Sequence, residues 1–186
     1  MTPSAGKQEL RRAVLAARAA LPIEVHAAEA AALASAAGRF SGTVCAYHPV
    51  GSEPGSAALL DALRAAGCRV LLPVVTAGGP LEWAEHSGSL RAGPLGLLEP
   101  DGPRLGAGAI ATAGLVLVPA LAVDRAGVRL GRGGGHYDRS LPLAAPGTPL
   151  IAVVRDEELL DAVPAEPHDV RVTAALTPHA GLLPLR

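Results

Sequence analysis

The sequence predicts an α/β fold: one three-layer domain over residues 1–186, with a mostly parallel, doubly wound (Rossmann-like) sheet and helices on both faces. Between residues 43 and 74 a strand, a helix and a second strand follow one another, which is the βαβ order of parallel sheets. The unbroken apolar runs 115–118 and 150–154 are typical of strands buried on both faces. In such sheets the ligand site lies beyond the carboxyl ends of the strands.

Two helices are predicted at the start of the chain. Apolar side chains recur at helical spacing between Leu10 and Leu21, and Pro22 ends this segment. Ser4 is the candidate N-cap of this helix. A second helix is predicted over residues 24–37 and is followed by a glycine.

Strands and helices then alternate along the chain. Strands are predicted over residues 43–47, 69–74, 115–118, 150–154 and 170–176, with a short edge strand at 81–86. Helices are predicted over residues 56–66, 136–143 and 157–162, the first of them capped by Ser56. Residues 88–103 are rich in glycine and proline and are predicted to form a loop.

Residues 131–139, with the sequence Gly-Arg-Gly-Gly-Gly-His-Tyr-Asp-Arg, form the most distinctive segment. Glycines leave backbone N–H groups uncovered, and a helix that begins directly after them adds its positive end, so the segment predicts an anion site. A flexible surface turn is the alternative. The only lysine is Lys7, which excludes a Walker loop, and His136 stands where a dinucleotide fingerprint needs its last glycine.

Composition narrows the classes of function. Hydrophobic residues make up 49% and charged residues 18%, which is typical of a globular protein. A net charge of −1 and very few aromatic residues argue against nucleic acid as a partner. No apolar run reaches the roughly 18 residues of a membrane span, and the N-terminal region lacks a signal-peptide-like apolar block. We therefore expect a cytoplasmic, monomeric protein with no membrane partner, in which Cys45 and Cys68 are buried thiols.

Segments 118–124 and 129–139 closely resemble the signature of the 5-formyltetrahydrofolate cyclo-ligase family, also called methenyltetrahydrofolate synthetases. The similarity extends over nearly the whole chain. Weaker matches in the expected order are Lys7-Gln8-Glu9-Leu10-Arg11, Tyr47 with Glu53, Leu98-Glu99-Pro100, and His168-Asp169 with Thr177.

The resemblance implies an enzyme that uses ATP and Mg²⁺ to convert 5-formyltetrahydrofolate to 5,10-methenyltetrahydrofolate, with release of ADP and phosphate. ATP phosphorylates the formyl oxygen to give an iminium phosphate, N10 attacks the same carbon, and phosphate leaves. This chemistry needs no nucleophile from the protein. It needs positioned reactants and neutralised negative charge.

The resemblance also implies roles for individual residues. Lys7 and Arg11 would hold the ATP phosphates, and Lys7 and Arg132 would act in catalysis. The nucleotide loop would consist of Arg129, Leu130, Gly131, Arg132, Gly133, Gly134, Gly135, His136 and Tyr137. Folate would contact His48, Glu53, Arg132, Gly133, Gly134, Gly135 and His136. Asp138 and Asp169 would bind Mg²⁺. By themselves, Lys7 and Arg11 favour a solvated basic helix face. Asp138 alone favours a helix-terminal charge, and His168-Asp169 an ordinary turn.

This sequence departs from the family pattern at three positions. His136 stands in place of a usual tyrosine, Val123 in place of a common aromatic residue, and Ser56 in place of threonine. One hypothesis is that His136 supplies a titrating donor to phosphate. The departures also motivate an alternative, a catalytically silent member that binds nucleotide or folate. A third alternative, a sugar-phosphate isomerase-like phosphate-binding enzyme, rests on the α/β pattern and the Gly/Arg loop.

Overall fold

A computed structural model describes residues 3–185 of the protein. The helices, in chain order, are α1 (Pro3–Ala19), α2 (Ile23–Ser35), α3 (Ala57–Ala65) and α4 (His136–Ser140). The strands are β1 (Thr43–Cys45), β2 (Arg69–Val74), β3 (Glu82–Glu85), β4 (Leu90–Ala92), β5 (Leu98–Pro100), β6 (Leu115–Pro119), β7 (Ala122–Asp124), β8 (Arg129–Leu130), β9 (Leu150–Val153), β10 (Leu159–Leu160), β11 (Ala174–Thr177) and β12 (Gly181–Pro184). Within this range no helix combines the length and apolar composition that crossing a bilayer requires.

Seven strands form the main sheet in the order β12-β11-β9-β6-β1-β2-β3. The four inner pairings are parallel, and only the edge strands β3 and β12 run antiparallel to their neighbours. β6 lies in the middle, with Val116 opposite Cys45 on one side and Leu150 on the other. The predictions of a mostly parallel sheet, a central strand at 115–118 and an edge strand at 81–86 are confirmed.

Both faces of the main sheet are covered, as predicted. Alternating residues of the inner strands, such as Val44 and Leu117, pack on one face against Leu33 of α2 and Leu63 of α3. The other face is covered by short elements, namely α4 and the 3-10 turns Ala107–Thr112 and Leu141–Leu143. Their apolar side chains pack against the sheet residues on that face. Cys45 and Cys68 are buried free thiols, as expected.

A second, three-stranded sheet in the order β10-β7-β8 carries α1, and neither β10 nor this sheet was predicted. Leu10 and Val14 of α1 pack against Leu121 and Leu130. The predicted helix over residues 157–162 is wrong, because Asp156–Glu158 forms a 3-10 turn and the next two residues form β10. The backbone N–H and C=O groups of β10 form hydrogen bonds with β7. An isolated helical turn over these residues would be unstable, so the strand is favoured.

Three further predictions need correction. Residues 88–103 contain the β4–β5 hairpin instead of a loop, and the buried Glu99 side chain ties it to β2 by accepting a hydrogen bond from Val75 N at 3.0 Å. α1 already includes Ser4, so that residue does not precede the helix as an N-cap. The last predicted strand begins later, at Ala174, and the unpredicted β12 follows it.

Ser56 caps α3 as predicted, since its side chain accepts a hydrogen bond from Ala58 N.

Candidate active site

A cavity of about 480 Å³ opens beyond the carboxyl ends of β1 and β6. Its polar side chains come from four parts of the chain: one face of α1, the loop after β1, the Gly-rich loop with the start of α4, and the loop before β11. The lining includes every predicted site residue: Lys7, Arg11, His48, Glu53, Arg129, Leu130, Gly131, Arg132, Gly133, Gly134, Gly135, His136, Tyr137, Asp138 and Asp169. The fold therefore brings together residues that lie more than 160 positions apart in the sequence.

The Gly-rich loop leaves backbone donors open toward this cavity. No described residue accepts a hydrogen bond from the N–H of Gly133 or Gly134. Gly133 and Gly135 have φ angles of 103° and 66°, a region that favours glycine. A Cβ on Gly135 would lie 2.8 Å from Arg139 Nη1, so a larger residue there would also displace that side chain. Free N–H groups in a glycine loop fit an anion such as phosphate.

Arg11 joins α1 to the Gly-rich loop. Its Nε donates a hydrogen bond to Gly131 O at 2.9 Å, and a Cβ on Gly133 would lie 3.6 Å from its Cζ. No described carboxylate lies within 4 Å of Arg11, whereas the other cationic side chains that line the cavity each hold an acidic partner. The guanidinium charge of Arg11 is therefore available to a ligand.

Lys7 is nearly enclosed and holds two carboxylates at once. Its Nζ lies 2.7 Å from Glu166 Oε2 and 2.7 Å from Asp169 Oδ2, and its side chain is 6% exposed. Burial lowers the pKa of Lys7, but the hydrogen bonds and charges of the two carboxylates more than offset this and raise the pKa above its ordinary value. Burial raises the pKa of Asp169, and the hydrogen bonds from Lys7 and Glu166 N outweigh it, so that pKa is lowered.

Asp138 also holds a cation. Arg129 Nη2 donates to Asp138 Oδ1 at 2.7 Å, and Arg129 Nη1 donates to Val170 O at 3.0 Å. The Arg129 side chain is buried, and Asp138 at the start of α4 is partly exposed. Both aspartates predicted as metal ligands are thus paired with cations that were predicted to bind the nucleotide.

The donor set fits Mg²⁺, which prefers carboxylate oxygens. Asp138 Oδ2 and Asp169 Oδ1 accept no hydrogen bond from any described residue, so each aspartate retains a free oxygen. One ligand atom each from Glu166, His168 and Asp169 lies within 4.8 Å of the other two. Asp138 does not belong to that group, so the structure does not join the two predicted metal ligands into one cluster.

Glu53 connects the loop after β1 to the Gly-rich loop. Arg132 Nε donates to Glu53 Oε1 at 2.9 Å, and Val50 N donates to Glu53 Oε2 at 2.9 Å. The Glu53 side chain is 12% exposed and that of Arg132 is 51% exposed. His48 lines the cavity beside them, and its buried Nδ1 has no described partner. Both oxygens of Glu53 therefore accept hydrogen bonds, one from the exposed Arg132 side chain and one from Val50 N.

His136 folds over the Gly-rich loop at the start of α4. Arg139 Nη2 lies 3.3 Å from His136 Nδ1, and a guanidinium can only donate, so Nδ1 is the acceptor and Nε2 carries the proton. A Cβ on Gly134 would lie 3.0 Å from the His136 ring, so a larger residue there would push the ring outward. In this tautomer the Nε2–H group of His136 is a donor next to the open backbone amides.

Two tyrosines lie under the cavity. Burial raises the pKa of Tyr137, the charge of Glu53 adds to this, and the buried hydroxyl has no described hydrogen-bond partner. Burial likewise raises the pKa of Tyr47, whose hydroxyl donates to Pro54 O at 2.7 Å. Both phenols are therefore neutral at physiological pH, and Tyr137 has an unused hydroxyl at the cavity.

Sequence reasoning missed several lining residues. Arg18 lies on the same face of α1 as Lys7 and Arg11, at positions i+11 and i+7, so helical spacing could have found it. Glu166 and His168 belong to the segment that carries Asp169, but no pattern in it distinguishes a ligand from a turn residue. The remaining lining is apolar and includes Leu97 and Leu98 of the unpredicted hairpin.

A model of the 5-formyltetrahydrofolate cyclo-ligase family matches residues 3–178. The chain belongs to this family. It is 54% identical over 189 residues to a curated 5-formyltetrahydrofolate cyclo-ligase of Mycolicibacterium smegmatis, with 97% of each chain covered. It is 31% identical over 141 residues to that of Escherichia coli, covering 73% of this chain and 78% of the other.

Solved structures agree with this assignment. The NMR structure of 5,10-methenyltetrahydrofolate synthetase from Aquifex aeolicus superposes with a TM-score of 0.81 at 26% identity, covering 97% of this chain and 93% of that one. The synthetase from Mycoplasma pneumoniae has a TM-score of 0.72 at 19% identity and shows the shared fold, covering 91% and 96%. The predicted α/β fold and the predicted cyclo-ligase family are confirmed.

The three departures from the cyclo-ligase pattern fall in different places. His136 lines the cavity, so its replacement of a tyrosine changes the wall that a ligand meets. Val123 is fully buried in β7 and packs in the core under the main sheet. Ser56 serves as the N-cap of α3. Of the three, only His136 belongs to the described lining.

Proposed function

We propose that the protein is an ATP- and Mg²⁺-dependent 5-formyltetrahydrofolate cyclo-ligase that forms 5,10-methenyltetrahydrofolate, ADP and phosphate. The observation that carries the proposal is the single cavity in which the open N–H groups of the Gly-rich loop, the unpaired charge of Arg11 and the two aspartates converge. Family membership supplies the reaction, and the cavity supplies groups of the required chemistry. A volume of about 480 Å³ lies within the usual range of small-molecule sites.

The reaction transfers a phosphoryl group and then closes a ring. The formyl oxygen attacks the γ-phosphorus of ATP, and ADP leaves with the electron pair of the broken P–O bond. N10 of the folate then attacks the activated carbon and loses its proton, while the C–O bond breaks and phosphate departs. Both steps move negative charge between oxygens, so catalysis depends on positioned cations and N–H donors.

The side chains of this protein suit those tasks. Arg11 and the N–H groups of Gly133 and Gly134 would bind the phosphates from two sides. Lys7, with one of its three ammonium protons free, would contact the transferred phosphoryl group. Arg132 would leave Glu53 to neutralise the departing phosphate, and this would free a Glu53 oxygen to accept hydrogen bonds from the pterin edge.

Asp138 and Asp169 would hold Mg²⁺, each through its free oxygen. Bound there, the ion would supply positive charge that offsets the charge of the phosphates. In the protein alone, Lys7 pairs with Asp169 and Arg129 pairs with Asp138, so each aspartate already has a cationic partner.

Purified protein with 5-formyltetrahydrofolate, Mg²⁺ and ATP tests the proposal. We expect the near-ultraviolet absorbance of the methenyl product to develop only when both ATP and Mg²⁺ are present. ADP and phosphate should appear in equal amounts with the product. Absence of product from protein that binds both ligands would contradict the proposal and support the catalytically silent member.

The silent member remains a second candidate because His136 alters the cavity wall. If it is correct, His136→Tyr should gain turnover that the natural chain lacks. The sugar-phosphate isomerase alternative rested on the α/β pattern and the Gly/Arg loop, and membership of the cyclo-ligase family accounts for both.

A further inference from the structure

We infer that Glu166 is a positioning residue that orients the Lys7 ammonium toward the reacting phosphate. This rests on the proposed function, which makes Lys7 a phosphate ligand. Glu166 is not part of the predicted site. It lines the cavity beside Lys7, and its Oε2 accepts a hydrogen bond from Lys7 Nζ.

The number of donors on Lys7 is the first reason. An ammonium has three N–H donors, and Glu166 Oε2 and Asp169 Oδ2 take two of them at 2.7 Å each. Two fixed acceptors hold Nζ in place and so set the direction of the third N–H, whereas with one acceptor the long Lys7 side chain could swing about that single contact. Glu166 therefore converts a flexible cation into a directed donor.

The local turn is the second reason, because it fixes Glu166 relative to Asp169. Asp169 N donates to Glu166 O at 3.0 Å, and Glu166 N donates to Asp169 Oδ2 at 2.7 Å. These reciprocal bonds hold the two residues on one rigid turn. The Glu166 side chain lies on the outer side, 33% exposed, and that of Asp169 lies deeper, 11% exposed.

Charge is the third reason. Lys7 alone offers one positive charge to two carboxylates, so the group keeps one net negative charge and attracts a metal ion. If Asp169 held Mg²⁺ as proposed, Glu166 would still be the anionic partner of Lys7. The ammonium then stays paired and in place at the cavity wall.

A double-mutant cycle with ATP binding tests this inference. Dissociation constants for ATP with Mg²⁺ are measured by calorimetry for the natural chain, Glu166→Gln, Lys7→Met and the double variant. We expect Glu166→Gln to weaken binding about tenfold, the scale of one charged hydrogen bond. In the Lys7→Met background the same change should have almost no effect, because a residue that acts through Lys7 cannot act without it. Equal effects in both backgrounds would overturn the inference.

Lys7 is the only lysine in the chain, which gives a second readout that needs no ligand. With lysine labelled in ¹³C, the CεH₂ group of Lys7 gives one resolved NMR signal. It should shift and narrow in Glu166→Gln as the Lys7 side chain gains freedom to move, and it should stay unchanged in Glu9→Gln, a control that removes an exposed carboxylate from the same helix. An unchanged signal in Glu166→Gln would contradict the positioning role.

The two readouts separate failure of the inference from failure of the proposed function. If the natural chain binds ATP but forms no methenyl product, the proposed function fails and the Lys7–Glu166 coupling is still measured by binding. If the product forms but the two variants act additively on ATP binding, the inference fails alone. A rise in the Mg²⁺ concentration for half-maximal turnover in Glu166→Gln, with ATP affinity unchanged, would instead make Glu166 a metal ligand.

Discussion

Side-chain pairing determines the charge that a ligand meets inside the cavity. Lys7, Arg129 and Arg132 each hold an acidic partner, and these partners include both predicted metal ligands and the predicted pterin ligand. In the proposed reaction only Arg132 would have to release its carboxylate, because Lys7 and the two aspartates each keep a free proton or oxygen for a ligand. Arg11 alone among the described lining cations has no carboxylate to release.

Arg11→Gln should weaken ATP binding by about tenfold to a hundredfold, because it removes a charged donor worth roughly 1.5–3 kcal/mol. The KM for the folate should change much less. Steady-state kinetics with each substrate varied in turn measure the difference. Arg12→Gln is the matched control, since Arg12 is the next residue of α1 and is exposed. Equal losses in both variants would show that net charge alone matters.

Asp138→Asn should lower kcat by about two orders of magnitude and raise the Mg²⁺ concentration needed for half-maximal turnover, because an amide neutralises a divalent cation poorly. Turnover is measured as a function of Mg²⁺ at saturating ATP and folate. Asp161→Asn, at an exposed position, should behave like the natural chain. Unchanged Mg²⁺ dependence in Asp138→Asn would remove this residue from the metal site.

At the scale of elements, α1 is the part of the molecule that most directly builds the cavity. It packs on the small sheet through Leu10 and Val14, and this docking presents Lys7, Arg11 and Arg18 on one face. Arg18 anchors the helix: it pairs with Glu158 and also donates through Nη2 to Ala120 O at 2.7 Å. Its side chain is 1% exposed, so the pair lies in a region of low dielectric.

Arg18→Met should lower the free energy of unfolding by about 3–5 kcal/mol, because it leaves Glu158 buried without a counter-charge. Chemical denaturation monitored by circular dichroism measures the loss. The matched control is Arg64→Met, which breaks a surface pair with Asp61 at 3.8 Å and should cost less than about 1 kcal/mol. The double variant Arg18→Met/Glu158→Leu should recover most of the loss, and failure to recover would argue against the buried charge as its cause.

The terminal hairpin β11–β12 is tied to the segment after β9 by Asp156, which accepts hydrogen bonds from Thr177 Oγ1, Ala180 N and His179. Burial raises the pKa of Asp156, but these hydrogen bonds outweigh it and lower the pKa to about 2. The hydrogen bond and charge of Asp156 raise the pKa of His179. The two groups therefore link the stability of this hairpin to pH in opposite directions.

Asp156→Asn should reduce stability most between about pH 5 and 6 and less on either side. The Asp156 contribution, about 2 kcal/mol, is present above the unfolded pKa near 4 and is lost as pH falls toward 2. The His179 contribution is present below pH 6.5 and is lost as pH rises through the raised pKa. Urea unfolding at pH 3, 5.5 and 8.5 measures the difference between the two chains. A constant difference at all three values would refute the linkage.

At the scale of the whole molecule, the cavity lies where segments that are far apart in the sequence meet. Four segments line it: residues 7–18 of α1, 48–53 after the main-sheet strand β1, 119–138 around the small sheet, and 166–169 in the loop before β11. A ligand that contacts all four therefore cross-links both sheets and the N-terminal helix. Its binding free energy adds to the stability of the complete fold.

ATP with Mg²⁺ should raise the Tm of the natural chain, with a stabilisation of about 2.7 kcal/mol when ATP exceeds its Kd by a hundredfold. Differential scanning fluorimetry over a series of ATP concentrations measures the shift. Arg11→Gln should need more ATP for the same shift, whereas Arg12→Gln should follow the natural chain. A Tm that does not respond to ATP and Mg²⁺ would contradict nucleotide binding in this cavity.

The sequence by itself determined the alternating elements, the Gly-rich loop and the family. Strand burial, helix capping and glycine turns depend on neighbouring residues, so local patterns reveal them; Ser56 and residues 115–118 are examples. The residues of the predicted site came from the resemblance to the family, and all of them line one cavity. Their individual roles stay predictions.

Only the tertiary structure decided which charges meet. Lys7 and Glu166 are 159 positions apart, and Arg132 and Glu53 are 79 apart, so no local pattern relates them. The same holds for β10, whose two residues form a strand only because β7 lies beside them. Such contacts arise from the packing of α1 and the two sheets, and packing depends on all residues together.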